Sequence, residues 1–262
     1  MDTRILGRTR LQAGRLGMAA SYGVPTAAVE RAFERGVNYL YWGTFRRGPF
    51  GQALRNLKPR RDRMVLVLQS YSRSAALVAP SVEIALRKLN FDFADALLLG
   101  LWGQKPWQRI LDAARRLRDR GLIRHIAVST HNRPLVSKLA ADPDIGIVHL
   151  RYNAVHKGAE REVFPLLRTN GNGPGIVAFT ATSWRQLLNP KRVPPGERVP
   201  AATDCYRFVL SNPAVDVCMT GPANEAQADD ALRAIELGPM SEEELAWMRR
   251  VGDFIHKPRR AR

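Results

Sequence analysis

Cysteine is nearly missing from this chain: Cys205 and Cys218 are the only two, in different segments and without metal-ligand spacing. A disulfide framework and a structural metal site are therefore set aside, and two buried, reduced thiols are expected. Lysine is scarce as well, with seven among 41 basic residues, and the 24 acidic residues leave a net charge of +17. That excess comes without a helix-turn-helix signature or an aromatic-rich RNA-binding motif. The arginines (Arg35, Arg87, Arg116, Arg118, Arg207, Arg249) are dispersed except in the tail from Lys257 to Arg262. The charge reads as a solvated basic surface, not as a specific nucleic-acid footprint. Long apolar runs are lacking too: none approaches the roughly 20 residues of a membrane span. The start, Met1-Asp2-Thr3-Arg4-Ile5, has no signal-peptide core. A cytoplasmic protein without membrane partners is expected.

What is present is a regular alternation of strands and helices. With 262 residues, 45% hydrophobic and 25% charged, the chain can build one large α/β domain spanning 1–262, with 257–262 as a basic tail. A helical stretch from Pro25 to Arg35 ends at Gly36, and the short strand Asn38 to Trp42 follows. Met64 to Leu68 is a continuous apolar run, as a parallel strand buried on both faces requires. Further strands open at Ala94, Ile123, Ile145, Gly175 and Val215, and the piece ending at Met18 supplies one more. Helices are read at 51–57, 80–89, 106–120, 134–140, 159–169, 203–210 and 225–237. Ser241 and Glu244 form a capping box that starts a further C-terminal helix. Eight strands alternating with helices fit a (β/α)₈ TIM barrel, with an N-terminal β-hairpin around Gly7-Arg8-Thr9. A doubly wound open sheet carries a Gly-rich turn after its first strand. Gly17-Met18-Ala19-Ala20-Ser21 is not one.

Several stretches together resemble the aldo-keto reductases over nearly the whole chain. Arg4-Ile5-Leu6-Gly7-Arg8-Thr9 with Arg15-Leu16-Gly17 is similar to that family's opening. Gly121 to Ser129 resembles its fifth strand, and Arg151-Tyr152-Asn153 its motif after strand six. Leu210-Ser211-Asn212-Pro213 and Thr220-Gly221-Pro222-Ala223-Asn224 resemble its last strand and phosphate loop. The resemblance implies carbonyl reduction with NAD(P)H at the C-terminal end of a barrel, by a Tyr acid assisted by Lys, Asp and His. Those residue types suit the reaction, because an alkoxide needs a proton and a tyrosine donates poorly unless a cation lowers its pKa.

Position by position, that tetrad is replaced. The family Asp falls on Tyr41, and the Tyr on Arg46 or, with a gap, on Phe45. The Lys falls on Ser70 or Gln69, and the His on Gly100 or Leu101. Activity on generic aldehydes is therefore expected to be weak or absent. The cofactor positions implied by the resemblance are better kept. Ser129 and Thr130 match the carboxamide contacts, His149 replaces a Gln, and Phe179 replaces the Tyr that stacks on the nicotinamide. In the last loop the Lys and Arg fall on Gly221 and Gln227, and the adenine contact on Asp230. Asn224 opens a helix whose backbone N–H groups suit a phosphate. NAD(P) is the implied cofactor, without the clamp that would favour NADP.

Several residues are candidates on position alone. Tyr39 and Tyr41 alternate to one side of their strand, and His149 and Arg151 to one side of theirs. Tyr41 and His149 are the candidate proton donors. Arg46, Trp102 and Arg151 are candidate contacts for a small-molecule ligand, Arg151 with His149 as a polar pair suited to an anion. A ligand-binding barrel without catalysis, or a lyase or isomerase in a repurposed pocket, are the other readings.

Overall fold

The computed structural model describes residues 3–43, 47–167 and 172–256. Candidate Arg46 and the basic tail lie outside the described residues. Two short strands, β1 (Thr3–Ile5) and β2 (Gln12–Gly14), pair antiparallel as the N-terminal hairpin. Eight parallel strands then close into a barrel: β3 (Leu16–Ala19), β4 (Tyr39–Trp42), β5 (Val65–Ser70), β6 (Ala94–Leu99), β7 (Ile123–Thr130), β8 (Ile145–Arg151), β9 (Gly175–Phe179) and β10 (Val217–Thr220). The barrel closes where β10 pairs with β3.

The closure follows from side chains buried on both faces of each strand. All six residues of β6 are buried, so it has no face to give to water. Tyr39, Val65, Val67, Ala96, Leu98, Ala127, Ile147, Val177 and Val217 fill the barrel interior. Their neighbours in sequence, such as Leu40, Leu66, Leu97 and Val148, pack outward against the helices. The hairpin plugs the N-terminal end with Leu6 and Ala13, both members of the inner cluster. Gly7 makes this possible: at φ +43 its Cα lies so close to the 173–175 backbone that a Cβ would come within 2.4 Å of it. Arg8 ties the plug down, donating to the carbonyls of Ala140 (2.6 Å) and Asp142 (2.9 Å).

The helices differ from the sequence reading at two prolines. The helix Ala75–Leu89 starts before Pro80 and holds it inside. The bond Pro80 cannot donate belongs to the carbonyl of Ala76, in the first turn, so the damage stays at the helix end. Between Ala159 and Leu167 the sequence predicts a single helix. Two short helices form instead, Ala159–Glu162 and Phe164–Leu167, on either side of Val163. Pro165 has no N–H to continue the ladder to Arg161.

At the C-terminus, the helix Glu242–His256 carries the expected reciprocal cap. Glu244 N–H donates to Ser241 Oγ (3.2 Å), and Ser241 N–H to Glu244 Oε2 (2.9 Å). Ser241→Ala should lower stability by about 1 kcal/mol in urea unfolding, with an unchanged m-value. A loss below a few tenths would mean that Arg207, paired to Glu244, holds this helix start alone.

Candidate functional site at the C-terminal mouth

The C-terminal ends of β3–β10 open into the mouth where barrel folds place their chemistry. A cavity of about 590 Å³ lies at the other end, lined by Asn38, Arg61, Arg63, Phe93, Asp95 and Arg124. Those residues sit where strands begin, so the cavity is not part of the mouth.

Below the mouth, in the barrel interior, the hydroxyl of Tyr39 and Nε2 of His149 lie 2.7 Å apart. Both side chains are buried. Burial pushes the Tyr39 phenol up and drives the His149 imidazole down to about 3, so the pair is neutral at physiological pH. This obstructs the donor role considered for His149: it carries no exchangeable charge, and its Nε2 is engaged with Tyr39. The sequence placed Tyr39 in the interior but did not reveal this partner, which comes from a strand far away in the chain.

One layer higher, Tyr41 is half-buried and hydrogen-bonds with Tyr71 and Gln69. Burial is the main cause that raises its pKa, Tyr71 and Tyr39 raise it further, and only the Gln69 bond pulls it back. No cation is among these influences. Tyr71, unremarked in the sequence, is 45% exposed and reaches into the mouth. Its ring occupies the space beside Gly100, where a Cβ would lie 2.3 Å from it. The same arrangement recurs at the last loop, where the ring of Tyr22 would lie 2.3 Å from a Cβ on Gly221. The glycines were visible in the sequence; what fills the space above them was not.

Along β7 the polar residues brace the next loop. Ser129 Oγ accepts from Leu101 N–H (2.8 Å), which leaves its own proton available. Thr130 Oγ1 donates to the carbonyl of Trp102 (2.7 Å) and accepts from Asn132 N–H (2.9 Å), so it is committed. Trp102 is only 4% exposed and packs in the layer between barrel and helices, with Arg73 3.9 Å over its ring. It supports the loop and offers no face to the mouth.

Arg151 ends β8, paired in register with Phe179, and its preceding residue Leu150 pairs with Thr130. The ring of Phe179 meets that of His131 edge to face at 5.2 Å. Trp184 stacks on the other side of His131 at 6.1 Å. Burial and then Arg133 lower the pKa of Arg151, and burial and then Arg151 lower that of His131. At the last loop, Asn224 Oδ1 accepts from Gln227 N–H (2.9 Å), and Gln227 Oε1 accepts from Ala223 N–H (2.8 Å). Asp230 is exposed on the helix Glu225–Leu237, and its carbonyl accepts from the Thr203 hydroxyl.

The model of the Aldo/keto reductase family matches residues 5–198. Solved structures share the fold. An aldo-keto reductase from Bacillus halodurans in its holo form is 20% identical, with a TM-score of 0.78 and 96% of each chain covered. One from Klebsiella pneumoniae in complex with NADPH is 19% identical, with a TM-score of 0.78, covering 99% of this chain and 98% of that one. A Klebsiella pneumoniae structure in complex with NADP and acetate is 21% identical, with a TM-score of 0.77, covering 98% and 96%.

Proposed function

Because the chain belongs to the aldo/keto reductase family, we propose that it is an oxidoreductase-type barrel directed at carbonyl or alcohol groups, with the family's proton-delivery machinery replaced. The observation that carries this reading is the state of Tyr41. It is the ionisable hydroxyl at the base of the mouth, and burial with two neighbouring phenols pushes it away from donating. A phenol tuned for proton transfer needs a pKa drawn towards working pH, which a nearby cation would supply.

The residues present suit a nicotinamide nucleotide at one end and not at the other. When bound, such a nucleotide supplies hydride. Ser129 keeps a free hydroxyl proton for a carboxamide, and the half-buried ring of Phe179 is competent to flank a flat heterocycle. At the phosphate end, two of the N–H groups around the start of the Glu225–Leu237 helix are already taken by Asn224 and Gln227. Glu225 in the first turn adds negative charge, and Tyr22 lies against Gly221. These features weaken phosphate binding and remove any clamp for a 2′-phosphate.

Titration calorimetry with NADPH and NADH tests the reading. Binding of either nucleotide is expected, with a preference for NADPH of less than tenfold, about 1.4 kcal/mol. A larger preference would locate a phosphate contact that Gly221 and Gln227 do not supply. Failure of both nucleotides to bind would favour the second reading, a ligand-binding barrel without hydride chemistry. That reading is supported by the same absence of a tuned acid.

A further inference from the structure

We propose that the mouth binds a small organic anion, a carboxylate or phosphate carried on a flat or apolar group, with Arg151 as its anchor. This deepens the reading above, since it takes the same C-terminal mouth as the site.

Three observations carry it. The first is that Arg151 is an unanswered cation. Among the described residues its guanidinium donates no hydrogen bond and joins no ion pair. Its neighbours differ: Arg133 is held by Glu162 (2.7 Å) and Lys157 by Asp253 (2.6 Å). Arg73 also differs, since it donates to the carbonyls of Tyr71, Gly100 and Leu101. A half-buried guanidinium pointing with His149 towards the barrel axis carries a desolvation cost that an incoming anion would offset.

The second is the charge of the whole face. In sequence, the stretches between each barrel strand and the next α-helix are 20–25, 43–47, 71–74, 100–107, 131–132, 152–158, 180–201 and 221–224. Glu197 is the one acidic residue the sequence places in them, and it is paired with Arg250 (2.9 Å). The N-terminal rim is built otherwise, with Asp92, Asp142, Asp144 and Asp216 between its helices and strands and Asp95 at the start of β6. Glu225, just past the last of these segments, is paired with Arg31 (3.4 Å), so an anion approaching Arg151 meets a face poor in acid, whose low-dielectric walls focus the field of the arginines.

The third is the shape beside Arg151. Phe179 is its partner in register, and the Phe179 ring meets that of His131, with Trp184 stacked on His131, so the cationic strand end lies beside an aromatic cluster. That pairing suits a carboxylate or phosphate whose carrier is planar or apolar, because the fork takes the oxygens while a ring takes the carrier. Burial and then neighbouring positive charge lower the pKa values of Arg151, His131 and His156.

The test uses the full chain without nucleotide, so that it is independent of the oxidoreductase reading. Benzoate, inorganic phosphate and neutral benzamide are titrated by calorimetry, with Arg151→Met, Arg151→Lys and, at the opposite end of the barrel, Arg63→Met. Saturable binding of benzoate or phosphate with a stoichiometry of one is expected, and the tighter of the two identifies the headgroup. Benzamide should bind at least tenfold more weakly than benzoate, and Arg151→Met should lose at least about tenfold in anion affinity. Arg151→Lys keeps the charge without the fork and should retain part of the affinity, which also serves if the Met variant fails to fold. Arg63→Met should bind as the native chain does. The proposal is overturned if neither anion saturates, or if benzamide matches benzoate. It also falls if Arg151→Met or Arg151→Lys stays within twofold of native, or if Arg63→Met loses as much as Arg151→Met. None of these results would alter nucleotide binding measured separately, so the two readings fail independently.

Discussion

Lowering the pH from 7 to 4.5 should cost the fold about 2–3 kcal/mol through His149 alone. In the native barrel this imidazole is buried against Tyr39, and desolvation takes its pKa from 6.5 to about 3. The folded value lies below the unfolded one, so the unfolded chain takes up the proton first as pH falls. The contribution is fully present above about pH 6.5 and is lost progressively down to about pH 3. The carboxylates with lowered values, Asp144 paired to Arg115 and Arg118 among them, act in a lower window. Their stabilisation is present above the unfolded carboxylate pKa and disappears only as pH falls through the folded one. His156, half-buried and lowered to about 4, adds in the same direction as His149, though more screened by solvent. His149→Gln isolates the residue, since a glutamine amide can still meet the Tyr39 hydroxyl. The stability gap between native and variant, from urea unfolding, should therefore shift by about 2–3 kcal/mol in the variant's favour between pH 7 and 4.5. A gap that stays constant across that range would show that His149 is not held neutral by burial. Nuclear magnetic resonance of its ring, which should not titrate above pH 4.5, checks the same point without a variant.

Much of the barrel was legible because its strands are short, apolar and punctuated by Gly, Pro and Asn. Ala94–Leu99 and Glu225–Leu237 fall where periodicity put them, since nothing in either segment competes with the local preference. Pro80 and Pro165 mislead in opposite ways: the long helix Ala75–Leu89 tolerates the one bond lost near its start, whereas Pro165 falls where the segment breaks into two short helices. The site was harder, for a physical reason. The residues that shape it come from segments distant in the chain: Tyr39 meets His149 across the barrel, and Tyr71 meets Gly100 and Tyr22 meets Gly221 between the ends of adjacent strands. Period-two alternation says that Tyr39 and His149 each face inward, but the layer each occupies depends on the stagger of strands. A glycine in the chain shows where a side chain is lacking, and only the fold shows which neighbour has moved in. Arg151 was legible as an inward-facing cation, whereas that no described residue accepts from it is a property of the assembled mouth.

Simple aldehydes offered with NADPH or NADH should be turned over at rates near background, short by about 10² to 10⁴ of what a tuned general acid provides. On the proposed reading the proton would come from Tyr41, which is hydrogen-bonded with Tyr71. Burial raises the Tyr41 pKa, its phenol neighbours raise it further, and proton donation from such a group has little driving force near neutrality. His149 cannot substitute, because its Nε2 is engaged with the Tyr39 hydroxyl beneath the mouth and its cationic form is suppressed. A side chain at position 100 would displace the Tyr71 ring, which occupies the space its Cβ would need. The measurement is nicotinamide absorbance with a panel of aliphatic and aromatic aldehydes, on the native chain, Tyr41→Phe and Tyr71→Phe. Native activity close to the enzyme-free rate, unchanged in both variants, is the expected result. Robust native turnover abolished in Tyr41→Phe would overturn it, showing that this phenol donates despite its surroundings. Robust turnover lost only in Tyr71→Phe would instead assign the proton to the more exposed partner, where water can relay it and burial exacts less.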